Sequence, residues 1–159
     1  MPPLSSFVQQ QQSQELWCWA AVAVSVSSFF GRPPQFLQCT LVQRVTGLTG
    51  CCDDPRSCDQ MNSLETALTT TTNLAGPATG PVPLSSIQQE IRHDKPVPIR
   101  IARRDGTAHV MTIVACEGEG PTCQLTIEDP FFGRDTITFE TLRDREYRRG
   151  RWSHTYFTF

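Results

Sequence analysis

Apolar residues are spread unevenly along this chain, and the unevenness divides it into two kinds of sequence. In QSQELWCWAAVAVSVSSFF the positions from 18 to about 30 are apolar on every side, which predicts a helix buried all round rather than one lying on a surface. Gly31, with Pro33 and Pro34 behind it, ends that run. A second helix is predicted from Pro34 to Thr46: Pro34 suits a first turn, Phe36, Leu37, Leu41, Val42 and Val45 form a stripe, and Gly47 closes it. The cysteine-dense loop TGCCDDPRSCDQ leads to a third helix with Met61, Leu64, Ala67 and Leu68 on one face. NLAGPATGPVP reads as a connector between two halves. A short helix should follow from Ser85, with Gln88 three residues on completing a capping box.

Beyond the connector the period becomes two. Val97, Ile99 and Ile101 alternate with Pro98, Arg100 and Ala102, the pattern of a half-buried strand. Arg104-Asp105-Gly106 turns the chain into a second strand from Thr107 to Cys116, and Gln124 to Glu128 return it. A strand over Asp135–Phe139, a short helix and a last aromatic strand, HTYFTF, are predicted to finish the chain. Helices first and strands second predict an α+β domain over 1–159, a helical half of about 1–75 against an antiparallel sheet half of about 81–159.

With 159 residues the chain can bury a full core without outside help. A formal charge of −2 gives no electrostatic reason to expect nucleic acid or an anionic membrane as partner. Arginines gather late, in RDREYRRGR, but acidic residues interleave them and the segment reads as a solvated face. The apolar run from Trp17 to Phe30 falls short of the roughly 20 residues that span a bilayer. MPPLSSFVQQQQ is polar and glutamine-rich, expected to be extended, and shows neither a basic start nor an apolar signal core. Seven cysteines nevertheless point to an oxidising destination, so an exported protein is expected, with no visible signal in these residues.

The candidate chemistry starts at Cys18. A thiol at the start of a buried helix stands where free amide groups favour negative charge on sulfur, as a nucleophile needs. Thiolate attack on a carbonyl also needs donors for the oxyanion, an imidazole to shuttle the proton and a group to hold that imidazole. Gln12, six residues upstream, carries a suitable amide, with Gln9, Gln10, Gln11 and Gln14 as rivals. His109 enters an apolar strand behind the small residues Gly106, Thr107 and Ala108, which leave room for substrate; His93 sits in a polar helix end and His154 in the aromatic final segment. Asp129 stands at a strand end fixed by Pro130, whereas Asp105 and Asp135 fall in turns. Phe131 is placed to shield the Asp–His bond or to serve as a plain core aromatic.

Setting Cys18 aside leaves an even number of cysteines. Cys116 and Cys123 flank the turn EGEGPT and should bond across it. Cys39, Cys51, Cys52 and Cys58 allow three pairings; neighbours rarely bond each other, so Cys51 and Cys52 should each reach Cys39 or Cys58. A zinc site made by these four is the rival, but their spacing lacks the paired ligands of such sites. No metal or other cofactor is expected.

The segment QSQELWCWAA resembles the active-site segment of bacterial papain-like cysteine peptidases, specifically the short secreted and effector-type enzymes. The similarity continues through Gln38-Cys39, the Cys51-Cys52 pair, Cys58, GTAHVMTIV, EDPFFG and GRWSHTYFTF. It implies a helical lobe carrying Cys18 against a sheet lobe carrying His109 and Asp129, with Gln12 as oxyanion donor. Aspartate replaces the asparagine of plant papain, and Phe131 stands where a tryptophan is usual. The resemblance implies a cysteine endopeptidase acting on protein or peptide substrates, and leaves room for an immunity or inhibitor protein as partner. Alternatives are an amidase, deamidase or transglutaminase-like acyl transferase using the same residues, or a disulfide-stapled binding protein with a degenerate site.

Overall fold

The computed structural model describes residues 4–159; the first three residues of the expected 1–159 domain lie outside the described residues. Helix α1, Cys18–Phe30, is buried from Cys18 to Ser27, as its all-round apolar sequence requires, and ends at Gly31 in a left-handed turn that donates to the Ser27 carbonyl. It packs against α2 (Gln38–Thr46) and α3 (Leu64–Thr70) on one side. Its other side meets β2 (Ala108–Glu117), the central strand, buried at all but the last of its ten residues. The antiparallel sheet runs β4 (Gly133–Thr138), β3 (Gln124–Asp129), β2, β1 (Val97–Arg103), β5 (Gly150–Thr155). Helix α4 (Leu84–Arg92) covers β1 and β2, and α5 (Phe139–Asp144) packs against β4 and β5. The predicted α+β class, helices first and an antiparallel sheet second, is the observed one.

Five predicted elements shift, each for a local reason. Helix α3 begins at Leu64 because the Ser63 hydroxyl caps it by accepting from Thr66 N–H, which leaves Met61 outside the helix and exposed. Helix α2 begins at Gln38, not Pro34, because Leu37 is extended and donates its N–H to the Thr40 hydroxyl (2.9 Å). Helix α4 begins at Leu84 behind Pro83 and has no side-chain cap; Gln88 reaches the Gly118 carbonyl instead of closing a capping box with Ser85. Strand β4 starts at Gly133 and stops at Thr138, whose hydroxyl accepts from Thr141 N–H and starts α5 at Phe139. The last strand is β5, ahead of the predicted HTYFTF. Gly150 opens it because a Cβ there would collide with the Ala102 carbonyl on β1. The final residues run back along the connector instead: Leu74 pairs with Thr158 and Thr79 with Thr155.

The polar first residues are docked rather than solvated. Leu4 N–H donates to the Val114 carbonyl, Phe7 is buried, and Gln9 bonds both Ser25 of α1 and Thr112 of β2. Gln38 then ties Gln10, Gln11 and Ser13 to the start of α2.

Six cysteines are paired: Cys39–Cys52, Cys51–Cys58 and Cys116–Cys123, so the four cysteines considered for zinc have no thiolate to offer. Cys18 is the free cysteine and is buried. Unreduced protein should therefore give one alkylated thiol of its seven with iodoacetamide, and unfolding without reductant should reveal no more. Mass spectrometry showing three or more labels would refute the pairing.

Candidate active site

The helix start that presents Cys18 is built by two tryptophans. Trp17 and Trp19 are fully buried, and their indole N–H groups donate to the carbonyls of Cys58 (2.9 Å) and Gln60 (3.0 Å). Leu16 N–H donates to Asp59 Oδ1 (2.9 Å). The loop stapled by Cys51–Cys58 thus grips the residues on either side of the nucleophile. Trp17 precedes α1 without a capping side chain, so the first-turn amides keep no partner from that source.

Across from it, β2 carries His109 and the end of β3 carries Asp129. The imidazole Nε2 lies 2.8 Å from Asp129 Oδ1, and Cys18 lines the same groove as the ring and favours its charged form. His109 is 5% exposed and the Asp129 side chain is sealed from solvent. Asp129 Oδ1 accepts two further bonds, from Phe131 N–H (2.8 Å) and Phe132 N–H (3.0 Å). Burial penalises the imidazolium, but the bonds and charges of Asp129 and Cys18 outweigh it and push the His109 pKa up to about 9. Burial likewise opposes ionisation of Asp129, and the imidazole and the two amides overcome it, holding the carboxyl below the usual range. A thiol, a proton-carrying imidazole and a buried carboxylate are thereby in series.

Two grooves meet at Cys18. One, about 570 Å³, has Trp19, Leu64, Ala78, Val110 and Tyr156 on its walls, with Glu65, Arg100 and His154 as polar groups. The other, about 560 Å³, has Gln12, Leu16, His109, Phe131, Phe132 and Arg148.

The sequence profile of the papain-like cysteine protease AvrRpt2 matches residues 5–144. The chain belongs to that family. It is a cysteine protease. Among solved structures it is similar to the Pseudomonas avirulence protein AvrPphB, at 13% identity and a TM-score of 0.44, over 98% of each chain. No curated protein matches it.

Within the protease, Cys18, His109 and Asp129 are brought together, and three other expectations change. Gln12 lines the groove beside them and its backbone N–H donates across to the Pro130 carbonyl (2.8 Å). Its side-chain amide, however, donates to the carbonyls of Gln14 (3.0 Å) and Glu15 (2.6 Å), while Oε1 is buried without a partner. Phe131 is 55% exposed; the ring set edge-on against His109 is Phe132, 6.2 Å between centroids. Arg148, from the segment read as a solvated face, stacks over Phe132 at 4.1 Å and brings Nε to 3.6 Å from Asp129 Oδ2. Of the rival histidines, His93 is exposed at the end of α4, and His154 lines the first groove with Nδ1 at 2.9 Å from Ser153 Oγ. Asp105 bonds Thr107 within its own turn, as an ordinary turn aspartate does. Phe132 and Arg148 were not found from the sequence; only the repeated aromatic in DPFFG hinted at the first.

Proposed function

We propose that this protease cleaves peptide bonds with Cys18 as nucleophile, His109 as acid and base, and Asp129 as the residue that orients and charges the imidazole. The observation that supports it is the buried Cys18–His109–Asp129 series, in which Asp129 bonds the imidazole at 2.8 Å and favours its protonated form. The Cys18 sulfur bonds to the scissile carbonyl carbon and the oxyanion takes the Cys18 amide, a first-turn N–H with no intrahelical acceptor. Gln12 joins it once its amide turns from the carbonyls of Gln14 and Glu15 toward the groove. His109 gives its proton to the leaving nitrogen as the C–N bond breaks. It then takes one from the water that releases the acyl group, regenerating the thiolate and imidazolium.

The chain acts as one domain on protein or peptide substrates. Three disulfides favour exposure to an oxidising compartment, and hence a secreted or delivered enzyme. Among the described residues no helix is long and apolar enough to cross a membrane. A proteome-derived peptide library, read by mass spectrometry with an added amine, tests the reaction. Products ending in a free carboxylate at a recurrent sequence are expected; products joined to the amine would favour the acyl-transfer reading, and none at all the degenerate one.

A further inference from the structure

Asp129 is a carboxylate used on one side only. Oδ1 accepts bonds from His109, Phe131 and Phe132, whereas Oδ2 is buried with no hydrogen-bond partner. Facing it at 3.6 Å is Arg148 Nε, itself buried and without a hydrogen-bond partner. A buried acceptor and a buried cationic donor, each orphaned, are thus a short step from a charge-assisted bond, the strongest kind available to either.

The chain goes to some length to bring the guanidinium there. Arg148 and Arg149 form the tip of a two-residue hairpin in which Tyr147 and Gly150 exchange both backbone hydrogen bonds. Their φ values are +51° and +67°. Such a turn ordinarily takes Asn-Gly, because a side chain is strained in the left-handed region. The side chain is then fixed between aromatic rings, 4.1 Å from Phe132 and 5.1 Å from Tyr147, with its Nη2 3.4 Å from Asp135 Oδ2. Asp135 also accepts from the Tyr147 hydroxyl (2.9 Å). The charged and titratable groups around Asp129 are accordingly His109 on β2, Arg148 and Tyr147 on the hairpin and, one step out, Asp135 on β4.

We infer that Arg148 is a positioning residue of the catalytic series: it closes on Oδ2 of Asp129 and holds the carboxylate square to His109. The inference rests on the peptidase reading above. It also gives Phe132 a task, since that ring lies beneath the guanidinium and meets the imidazole edge-on, spacing the two cations on either side of one carboxylate.

The test is a double-mutant cycle on the whole protein with a cleavable peptide. Arg148→Gln should lower kcat by about 10–100-fold while KM stays within about twofold. Arg148→Lys, which keeps the charge, should recover part of that loss. In an Asp129→Asn background Arg148→Gln should cost less than about twofold, because the group it served no longer carries charge. Losses that multiply across the two sites, a loss confined to KM, or a wild-type kcat in Arg148→Gln would each overturn the inference. If Arg148→Gln fails to fold, Arg148→Lys completes the same cycle, with a several-fold loss expected beside the native Asp129 and none in the Asp129→Asn background. Activity surviving in Cys18→Ala would instead sink the peptidase reading itself, so the two failures are distinguishable.

Discussion

Replacing Cys18 or His109 by alanine is expected to reduce kcat by roughly 10⁵–10⁶-fold, to the level of the double variant. The losses should not add, because each residue acts only on a proton or electron pair that the other supplies. Neither change should unfold the chain: Cys18 is outside all three disulfides, and the start of α1 is gripped through Trp17 and Trp19 rather than through the thiol. Circular dichroism together with a discontinuous cleavage assay checks both halves. Turnover near the wild-type rate in a folded Cys18→Ala protein would end the mechanism.

Asp129 gives the second large effect, and its pH dependence carries a sign. Burial alone would depress the His109 pKa; it stands instead at about 9, and the bond to Asp129 is the largest contributor to that rise. A raised pKa means that the imidazolium, and the stability it lends, is fully present below about pH 6.5 and is lost as pH climbs through about 9. Activity that needs the ring as acid should fall over the same alkaline range. Asp129→Ala should cost about 10³–10⁴-fold in kcat/KM. Asp129→Asn should cost less, since an amide oxygen still accepts from the ring, but its alkaline limb should move toward lower pH. Equal losses in the two variants, or an unmoved limb in Asp129→Asn, would remove Asp129 from the orienting role.

How much of this could be read beforehand depends on whether a residue's work is local. The start of α1, the α+β class and the Cys116–Cys123 pair were legible because they follow from apolar periodicity and from a turn between two cysteines. The nearness of Cys18, His109 and Asp129 was legible through their order and residue types together with the resemblance of LWCWAA to a known active-site segment. The rest depended on who meets whom. Nothing in RDREYRRGR says that one arginine of five turns inward. That follows from a left-handed hairpin and from Gly150 seating it against β1. Phe131 and Phe132 are equivalent as a string, and only the tight turn after Asp129, which sends both amides to Oδ1, decides which ring faces His109. Gln12 stands beside the thiol as expected, yet the turn at Gln14 and Glu15 captures its amide. The pairing of Cys39 with Cys52 and Cys51 with Cys58 rests on the path of the loop around Trp17 and Trp19, which local spacing does not encode.

The docked first residues have a mechanical meaning. The segment from Leu4 to Gln12 is bonded to β2 at one end and to the Pro130 turn at the other, crossing α1 on the way. On the opposite flank the connector is zipped to the chain's last residues. Among the described residues the two walls of the cleft are therefore laced together along both margins, which favours a cleft that keeps its shape over one that clamps down on what it binds. Adaptation is then expected to fall to the other party: a polypeptide substrate would arrive already extended, or give up its own structure to enter. Exposed loops and unstructured tails meet that condition at little cost, while a stably folded helix or sheet does not.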